Sequence, residues 1–372
     1  MSTENSETRT FRAPGRVNLI GEHTDYNDGF VMPVALNFST WATVSPLDTR
    51  KLQIFSENFG EEDEVEVDLD DQNLAARKHW SDYPIGVAVV LERAGYRLRG
   101  AKLRIRGEVP IGSGLSSSAA IEVATACALV ANSGLHIDAR ELARLCQRAE
   151  NEFVGARVGI MDQFVSLFGQ AHKALLLDCR SLEFKLLPVP DNVRLIICNT
   201  MVKHELASSA YNERRAQCEA GAKHLNVTAL RDATLEQLEQ HRSSLPEVIY
   251  RRCRHVITEN ARVLAAGEAL EQGDLHRFGK LMAESHVSLR DDYEVSSKEL
   301  DLMVELAQKV EGVYGARMTG GGFGGSTVNL VRNENVEEFR ARVSEGYERV
   351  TKITPEIYIT TAANGAEEVS HG

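Results

Sequence analysis

Residues 101–131 read AKLRIRGEVPIGSGLSSSAAIEVATACALVA, and three local patterns follow one another in this stretch. Leu103 and Ile105 alternate with charged residues, which predicts a half-buried β-strand. The alanine-rich residues from Ser116 to Ala131 predict a buried helix with serines at its N-terminus. The glycine-rich segment IGSGLSSS joins the two. We therefore expect a strand, a loop and a helix in direct succession.

A glycine-rich loop at the start of a helix can bind phosphate, because free backbone N–H groups and the helix dipole meet an anion there. The lysine of the Walker A motif is absent, so amides, hydroxyls and a metal would have to hold a nucleotide. The dipole supplies only about 0.3 to 1 kcal/mol per charge, so several hydrogen bonds must add to it. A tight turn capped by serine explains the pattern equally well.

Two further glycine-framed segments stand far from the first in the sequence. MTGGGFGGS at 318–326 precedes an apolar run, and its glycine density indicates a backbone that bends sharply or touches a ligand. A flexible linker is the competing explanation. GRVNLIGEHTDYNDG at 15–29 places Glu22, His23 and Asp25 together. Their spacing is not a common metal-ligand pattern, and such groups also suit a polyhydroxylated ligand, so sugar recognition fits better.

Hydrophobic periodicity predicts the organisation of the remaining chain. Asp138 followed by Glu141 is a helix-capping pattern, an apolar stripe continues to Phe153, and Gly155 is a plausible helix end. The acidic segment 61–71 alternates valines with charges, which predicts an exposed strand. Further strands are predicted at 173–179, 193–199, 326–331 and 356–361, and further helices near 250–271, 274–290, 297–310 and from about 335.

Length, composition and charge narrow the class of protein. The 372 residues suit two domains, and we place the boundary near 185, giving domains of 1–185 and 186–372. The net charge of −12, without basic runs, argues against nucleic acid or an anionic membrane as partner. Six scattered cysteines predict neither a zinc site nor a disulfide framework. We find no signal-peptide pattern and no apolar run near ~18 residues, and expect a cytoplasmic location.

Taken together, the three glycine-framed segments resemble the motifs of the GHMP kinases, the family of galactose, homoserine, mevalonate and phosphomevalonate kinases. GRVNLIGEHTDYNDG is similar to the signature of the galactokinase branch, PIGSGLSSSAA to the phosphate loop and MTGGGFGGS to the third motif. GIMDQF at 159–164 and SHVSLRDDYEVS at 285–296 extend the resemblance over nearly the whole chain. It implies an α+β fold of two domains: an N-terminal ribosomal-protein-like α/β domain and a C-terminal ferredoxin-like α+β domain, with the active site in the cleft between them.

The resemblance also implies an activity, the MgATP-dependent phosphorylation of the anomeric hydroxyl of α-D-galactose, which is the first committed step of galactose catabolism. We expect the protein to be a monomer. Asp162 would be the catalytic base, and Arg16 would stabilise the transition state. The galactose pocket would be lined by Glu22, His23, Thr24, Asp25, Gly159 and Tyr211. The ATP phosphates would be wrapped by Gly112, Ser113, Gly114, Leu115, Ser116, Ser117 and Ser118. The Mg²⁺ ion would be held by Ser118 and Glu150.

Each of these residues also has a plainer explanation when taken singly. Glu150 could face solvent on a helix, Asp162 could cap one, Tyr211 could be half-buried packing, and Arg16 could be a surface ion-pair partner. Ser326 replaces the cysteine of many members of the branch, a change we expect to leave the chemistry unaffected. Rival functions are a galactose sensor without catalysis, an N-acetylgalactosamine or arabinose kinase and, more distantly, a metal-dependent hydrolase. The intact GLSSSAA favours an enzyme.

Overall fold

The computed structural model describes residues 8–60, 63–203 and 207–369. The β-strands of this part are β1 (Arg9–Asn18), β2 (Phe30–Val31), β3 (Pro33–Pro46), β4 (Lys51–Ser56), β5 (Val65–Asp68), β6 (Ala101–Gly107), β7 (Lys173–Asp178), β8 (Phe184–Pro188), β9 (Val193–Lys203), β10 (Val313–Thr319), β11 (Gly324–Arg332), β12 (Glu356–Thr360) and β13 (Glu367–Val369). The α-helices are α1 (Asp82–Arg93), α2 (Ser117–Asn132), α3 (Ala139–Arg148), α4 (Met161–Phe168), α5 (Ala207–His224), α6 (Leu235–Gln240), α7 (Glu247–Glu271), α8 (Leu275–Asp291), α9 (Lys298–Gln308) and α10 (Val336–Thr351). Across the described ranges, none of the helices combines the length and the apolar character that a membrane span requires.

The predicted strand, loop and helix are confirmed as β6, the segment 108–116 and α2. β6 belongs to a mixed six-stranded sheet with the order β13-β1-β3-β6-β4-β5, in which only the β4–β6 pair is parallel among the described pairings. The alanine-rich helix α2 packs across β1 and β3, and its small side chains let it lie close to the sheet. Residues 65–68 of the acidic segment form β5 at the sheet edge, as their alternation predicts, and residues 61 and 62 lie outside the described residues.

A second, antiparallel sheet has the order β10-β11-β9-β12. Along the chain its elements run from β9 through helices to β10 and β11, then through α10 to β12, which is the connectivity of a ferredoxin-like split β-α-β fold. Helices α9 and α10 bury an apolar face against this sheet around Phe339 and Tyr347. The predicted two-domain GHMP kinase fold is thereby confirmed in its C-terminal part.

A small third sheet has the order β2-β7-β8, and its strand β7 contacts β3 of the six-stranded sheet. Residue 185, the predicted domain boundary, lies inside β8, whose residues pair with β7. At the other end of the chain, β13 returns to pair with β1 in the six-stranded sheet. The division into 1–185 and 186–372 stays a prediction, and these pairings show that sheet contacts cross it.

The helix predicted after α2 is regular at its start but not at its end. Asp138 caps α3 as predicted, since its side chain accepts from the backbone N–H groups of Arg140 and Glu141. α3 ends at Arg148, however, and a single π-helical turn, Ala149–Val154, follows before Gly155 terminates the run. Such a turn rotates the side chains that follow it relative to an α-helical continuation.

Candidate active site

The three glycine-framed segments meet at one cleft of about 570 Å³. The backbone N–H of Arg16 donates to the carbonyl of Leu115 at 3.0 Å, which joins the first segment to the phosphate loop. The hydroxyl of Ser326 donates to the carbonyl of Ser113 at 2.6 Å and joins the third segment to the same loop. The predicted site residues that line the cleft are Arg16, Glu22, His23, Asp25, Gly112, Gly114, Leu115, Ser116, Ser117, Ser118, Glu150, Gly159, Asp162 and Tyr211.

Two predicted site residues, Thr24 and Ser113, do not line this cleft. Thr24 is fully buried, and its hydroxyl lies 2.7 Å from the backbone carbonyls of both Gly21 and Phe30. Ser113 is also fully buried and donates to the carbonyl of Pro110 at 2.7 Å. Both hydroxyls donate to backbone carbonyls and so stabilise the shape of the bent loops that contain them.

Arg16 and Asp162 form a two-pronged ion pair within the cleft. Nε and Nη2 of the guanidinium donate to Oδ1 and Oδ2 of the carboxylate at 2.7 and 2.9 Å, the fork geometry of a strong pair. Nη1 donates to the carbonyl of Gly114 at 2.7 Å, which fixes Arg16 to the phosphate loop. Asp162 lies in the first turn of α4, where the helix dipole favours a negative charge.

Asp162 keeps one acceptor position for a ligand. The hydroxyl of Ser116 donates to its Oδ2, which already accepts from Arg16. Because an ionised carboxylate offers about four lone-pair positions, Arg16 and Ser116 occupy three and leave one on Oδ1. The Asp162 side chain is 20% exposed, against 8% for Arg16, so the carboxylate is the partner that reaches the open cleft.

Glu22 is buried and held by the strand that precedes the third glycine segment. Its Oε1 accepts from the backbone N–H of Gly320 at 2.9 Å, and its Oε2 lies 2.6 Å from Nη2 of Arg317. Asn18 also donates to Oε2 at 2.8 Å. Burial raises the pKa of Glu22, and the charge of Arg317 opposes that rise. Most of the hydrogen-bonding capacity of the Glu22 carboxylate is therefore used to connect the first glycine-framed segment to the third.

Arg317 was not found from the sequence. It lies on β10 with no exposed surface, between the buried residues Ala316 and Met318. A charged residue inside an apolar strand run is the signal that could have revealed it, because buried charges need a partner.

His23 lies within a hydrogen-bond chain that runs from Tyr293 and Tyr26 to the carbonyl of Gly321. Its Nε2 lies 3.2 Å from the carbonyl oxygen of Gly321, which can only accept, so Nε2 carries the proton and Nδ1 accepts from the hydroxyl of Tyr26 at 2.8 Å. The Tyr26 oxygen in turn lies 2.8 Å from the hydroxyl of Tyr293. Burial lowers the pKa of His23 to about 3, so this ring is neutral and serves to connect two segments.

Asp25 has a different environment from the other carboxylates of the cleft. No side chain among the described residues hydrogen-bonds to it or forms an ion pair with it. Burial, reinforced by the charge of Asp162, raises its pKa to about 6. Gly159 lies against it so closely that a Cβ at 159 would overlap the Asp25 carboxyl group. The ring of Tyr211 borders the same space beside Gly321.

The phosphate loop leads into α2 through Ser116, whose backbone takes a left-handed conformation with φ of 58°. This bend places the start of the helix at Ser117, so the first helical amides and the hydroxyls of Ser117 and Ser118 border the cleft. The first amides of a helix have no intrahelical partner. The loop therefore presents unpaired donors where an anion can approach.

Glu150 is 5% exposed and lies in the π-helical turn, so it is not the solvent-facing helical residue of the plainer explanation. Burial and the charge of Asp162 raise its pKa to about 7, while hydrogen bonds from Ser118 and Gln163 lower it. A hydroxyl and a carboxylate are hard oxygen ligands of the kind Mg²⁺ prefers, and two are enough when phosphates and water complete the octahedron. Ser118 and Glu150 thus fit a magnesium–nucleotide site. The described residues contain no cluster of three or more acidic, histidine or cysteine side chains that would hold a metal alone.

A smaller apolar cavity of about 190 Å³ adjoins the phosphate loop and shares Ser117 and Ser118 with the cleft. Phe59 and Trp80 stack in its wall, with ring centroids 5.6 Å apart and planes 16° from parallel. The indole N–H of Trp80 is buried and has no hydrogen-bond partner in the described structure. The cavity suits a planar aromatic ring. Nothing in the sequence pattern located it, because residues 59, 80 and 117 come together only in the fold.

Three family models match the chain. The model described as GHMP kinases N terminal domain covers residues 82–170, and that described as GHMP kinases C terminal covers residues 267–349. The model described as Galactokinase galactose-binding signature covers residues 2–46, which include the first glycine-framed segment.

Relatives and solved structures match over nearly the full length. A galactokinase of Roseiflexus is 46% identical over 96% of this chain and 92% of its own, and one of Chloroflexus aggregans is 48% identical over 96% and 93%. The structure of Lactococcus lactis galactokinase complexed with galactose superposes with a TM-score of 0.94 at 38% identity, covering 98% of this chain and 95% of that one. Mevalonate kinase of Methanococcus jannaschii, at 16% identity and a TM-score of 0.66 over 97% and 100%, shares the fold.

Proposed function

The chain belongs to the galactokinase family of the GHMP kinases and is a sugar kinase, and we propose that it transfers the terminal phosphoryl group of ATP to the anomeric hydroxyl of α-D-galactose. The observation that carries this proposal is the Arg16–Asp162 pair, which joins the phosphate loop to the cleft that the sugar signature lines. Phosphoryl transfer through a loose transition state depends mainly on alignment and charge neutralisation. The Arg16–Asp162 pair, which the fold holds in place, can supply both the alignment and the charge neutralisation.

Asp162 orients the sugar and takes its proton. The free position on Oδ1 accepts the hydrogen bond of the anomeric hydroxyl, whose oxygen then forms a bond to the terminal phosphorus while the bond from phosphorus to the bridging oxygen of ADP breaks. The hydroxyl proton passes to Asp162. Because this proton leaves late in a loose transition state, a carboxylate engaged by Arg16 is a sufficient base. Positioning of this kind can lower a barrier by about 7 to 11 kcal/mol.

Arg16 and the phosphate loop neutralise charge on the transferring group. Two of the Arg16 nitrogens hold Asp162 and one holds the Gly114 carbonyl, so the guanidinium is fixed before any ligand arrives. Ser118 and Glu150 would hold Mg²⁺. When bound, that ion offsets the negative charge of the nucleotide phosphates.

Selection of the sugar rests chiefly on Asp25. It is the least engaged acceptor in the cleft, whereas Glu22 already accepts hydrogen bonds from Asn18 and Gly320 and forms an ion pair with Arg317. We assign direct hydrogen bonds with sugar hydroxyls to Asp25, with Glu22, His23, Gly159 and Tyr211 shaping the surrounding wall. An epimer that leaves a buried acceptor unpaired loses about 1 to 3 kcal/mol, which supports selection against glucose.

The adenine ring of ATP is assigned to the apolar cavity beside the phosphate loop. The cavity opens next to Ser117 and Ser118, so a base placed there leaves the phosphates at the N-terminus of α2. Stacking beside Trp80 and Phe59 would supply affinity.

A panel of monosaccharides assayed for ADP release with MgATP tests the proposal. We expect turnover with galactose, little with glucose, and none with ATP alone. Higher kcat/KM with N-acetylgalactosamine or arabinose would assign a different sugar, and tight galactose binding without ADP release would indicate a sensor. A monomeric state and a cytoplasmic location remain part of the proposal; sedimentation at micromolar concentration would test the first.

A further inference from the structure

Glu122 is a buried acid that the proposed mechanism does not use. It lies on α2, four residues after Ser118, with no exposed surface. Its Oε2 accepts one hydrogen bond, from Nε2 of Gln163 at 3.0 Å, while its Oε1 has no partner within the described structure. No cation of the described chain forms an ion pair with it. Burial raises the pKa of Glu122 well above its usual value.

The fold alone does not require an acid at this position. Its neighbours on α2 include the buried residues Ala119, Val123 and Ala126, and an apolar side chain of similar volume would suit this interior. Burying an incompletely bonded carboxyl group costs free energy, and replacing such a group by a hydrophobic residue is often neutral or stabilising. Stability of the fold therefore does not explain why an acid with one hydrogen bond is buried here, and a functional role is the better explanation.

Gln163 connects Glu122 to the residue assigned to the metal. Its side chain is fully buried on α4, directly after Asp162. The amide nitrogen donates to Oε2 of Glu122 at 3.0 Å and to Oε2 of Glu150 at 2.7 Å, so both of its protons are used between two carboxyl groups. Without Glu122, the amide would keep only its bond to Glu150 and could rotate. The hydrogen bond to Glu122 thus fixes the orientation of the Gln163 amide, which donates to Glu150.

We propose that Glu122 is a positioning residue for the magnesium–nucleotide site, acting through Gln163 to hold the Glu150 carboxylate beside Ser118. This inference rests on the proposed function, because it assigns the metal to Ser118 and Glu150. Neither Glu122 nor Gln163 lines the cleft, so neither is placed to contact the sugar directly. Loss of Glu122 should therefore weaken binding of the metal–nucleotide complex and leave the sugar untouched.

The test compares Glu122→Leu with Glu122→Gln. The glutamine variant keeps an amide oxygen that can accept from Gln163, whereas leucine removes the acceptor at similar volume. Calorimetric titrations with ADP in the presence of Mg²⁺, and with ADP in EDTA, separate the contribution of the metal. We expect Glu122→Leu to weaken MgADP binding about 10-fold or more, as loss of a residue that orients a metal ligand usually does. Metal-free ADP binding, galactose binding and the melting temperature should stay at or above the parent values, and Glu122→Gln should restore MgADP binding to within about 3-fold.

Unchanged MgADP affinity in Glu122→Leu would overturn the proposal, as would an equal loss with and without Mg²⁺. An equal defect in both variants would also overturn it, because glutamine should rescue a positioning role. If the leucine variant does not fold, Gln163→Met supplies the same test. Because Glu122 is proposed to act through Gln163, this variant should show the same selective loss of MgADP affinity. MgADP affinity equal to that of the parent would refute the proposal. These binding measurements do not depend on turnover, so failure of the sugar assay with the parent protein remains a separate result.

Discussion

Asp25 and Asp162 are two carboxylates of one cleft that differ in their partners. Asp162 shares a two-pronged ion pair with Arg16 and a hydrogen bond with Ser116, which define where its remaining acceptor position lies. Asp25 has no such partner, and burial raises its pKa to about 6. The first arrangement suits orientation of a reacting hydroxyl, and the second suits recognition of a hydroxyl that arrives with the ligand.

Asp162→Asn should reduce kcat by about 10²- to 10⁴-fold, because the amide cannot take the proton and misplaces Arg16. Galactose binding, measured by calorimetry without nucleotide, should persist. Asp191→Asn is the matched control, since its side chain is 87% exposed and far along the chain from the motifs. A variant at 162 that keeps nearly the parent kcat would remove Asp162 from the mechanism.

Asp25→Asn should raise the KM for galactose much more than that for ATP, and should also stabilise the ligand-free protein at neutral pH. A carboxyl group whose folded pKa is raised to about 6 from 3.8 binds more protons folded than unfolded, so its ionisation costs stability as pH rises through this range. The cost is about 1 to 3 kcal/mol above pH 6 and disappears below pH 4.

Urea unfolding of the parent and Asp25→Asn at pH 7.5 and 4.5 measures this effect. We expect the variant to be more stable than the parent at pH 7.5 and the difference to narrow to a minor part of that value at pH 4.5, where unfolded Asp25 is still mostly ionised. A variant that is less stable at both pH values by the same amount would show that the carboxylate is not disfavoured in the fold. Equal increases in the KM for galactose and for ATP would count against its place at the sugar.

At the level of elements, the third glycine segment joins β10 to β11 and reaches back to both other motifs. Gly322 within it has a φ of 81°, and a Cβ there would overlap the backbone carbonyl of Val295. Phe323 donates its backbone N–H to the same carbonyl at 2.7 Å. The segment is thus packed against the connection between α8 and α9, and the flexible-linker explanation is wrong.

Gly322→Ala should lower the free energy of unfolding by clearly more than the about 1 to 2 kcal/mol that a left-handed alanine costs, because a backbone carbonyl cannot yield as a side chain does. Gly273→Ala is the matched control, with a φ of 70° and no atom within 4 Å of the added Cβ. Both variants carry the cost of a left-handed alanine, and only Gly322→Ala adds the overlap with the Val295 carbonyl. The difference between their free energies of unfolding, measured with denaturant, therefore reports the overlap. Equal losses would mean that the segment moves aside freely.

The aromatic pair beside the phosphate loop gives a second prediction at this level. Trp80→Ala should raise the KM for ATP roughly 5- to 150-fold, since stacking of a base on an aromatic ring contributes about 1 to 3 kcal/mol. The KM for galactose should stay within about 2-fold, because Trp80 does not line the sugar cleft. Trp41→Ala, outside this cavity, is the control. An unchanged KM for ATP would place the adenine elsewhere.

The sequence predicted elements well where periodicity and caps coincide, and less well where a contact spans the chain. β6, α2 and the Asp138 cap follow from local patterns, and their structures agree. The π-helical turn that brings Glu150 inward leaves the apolar stripe of α3 intact, so periodicity cannot reveal it. Arg317 was missed for a different reason: its partner, Glu22, is almost three hundred residues away along the chain.

At the scale of the whole molecule, the cleft depends on contacts between distant parts of the chain. Ser326 on β11 holds the phosphate loop, Arg317 on β10 holds Glu22, and β13 completes the sheet that contains β1. The residue predicted to be a neutral replacement, Ser326, thus donates a buried hydrogen bond between two motifs. A ligand that touches all three segments should stabilise the entire fold rather than one loop.

The most direct test of the central claim is the identity of the phosphorylated product. Phosphorus and carbon NMR of a reaction with MgATP and ¹³C-labelled galactose reports which oxygen carries the phosphate. The account predicts one product, galactose phosphorylated at its anomeric oxygen in the α configuration, formed by the parent and lost in Asp162→Asn. Phosphate at any other sugar oxygen, or ADP release without a sugar phosphate, would contradict it.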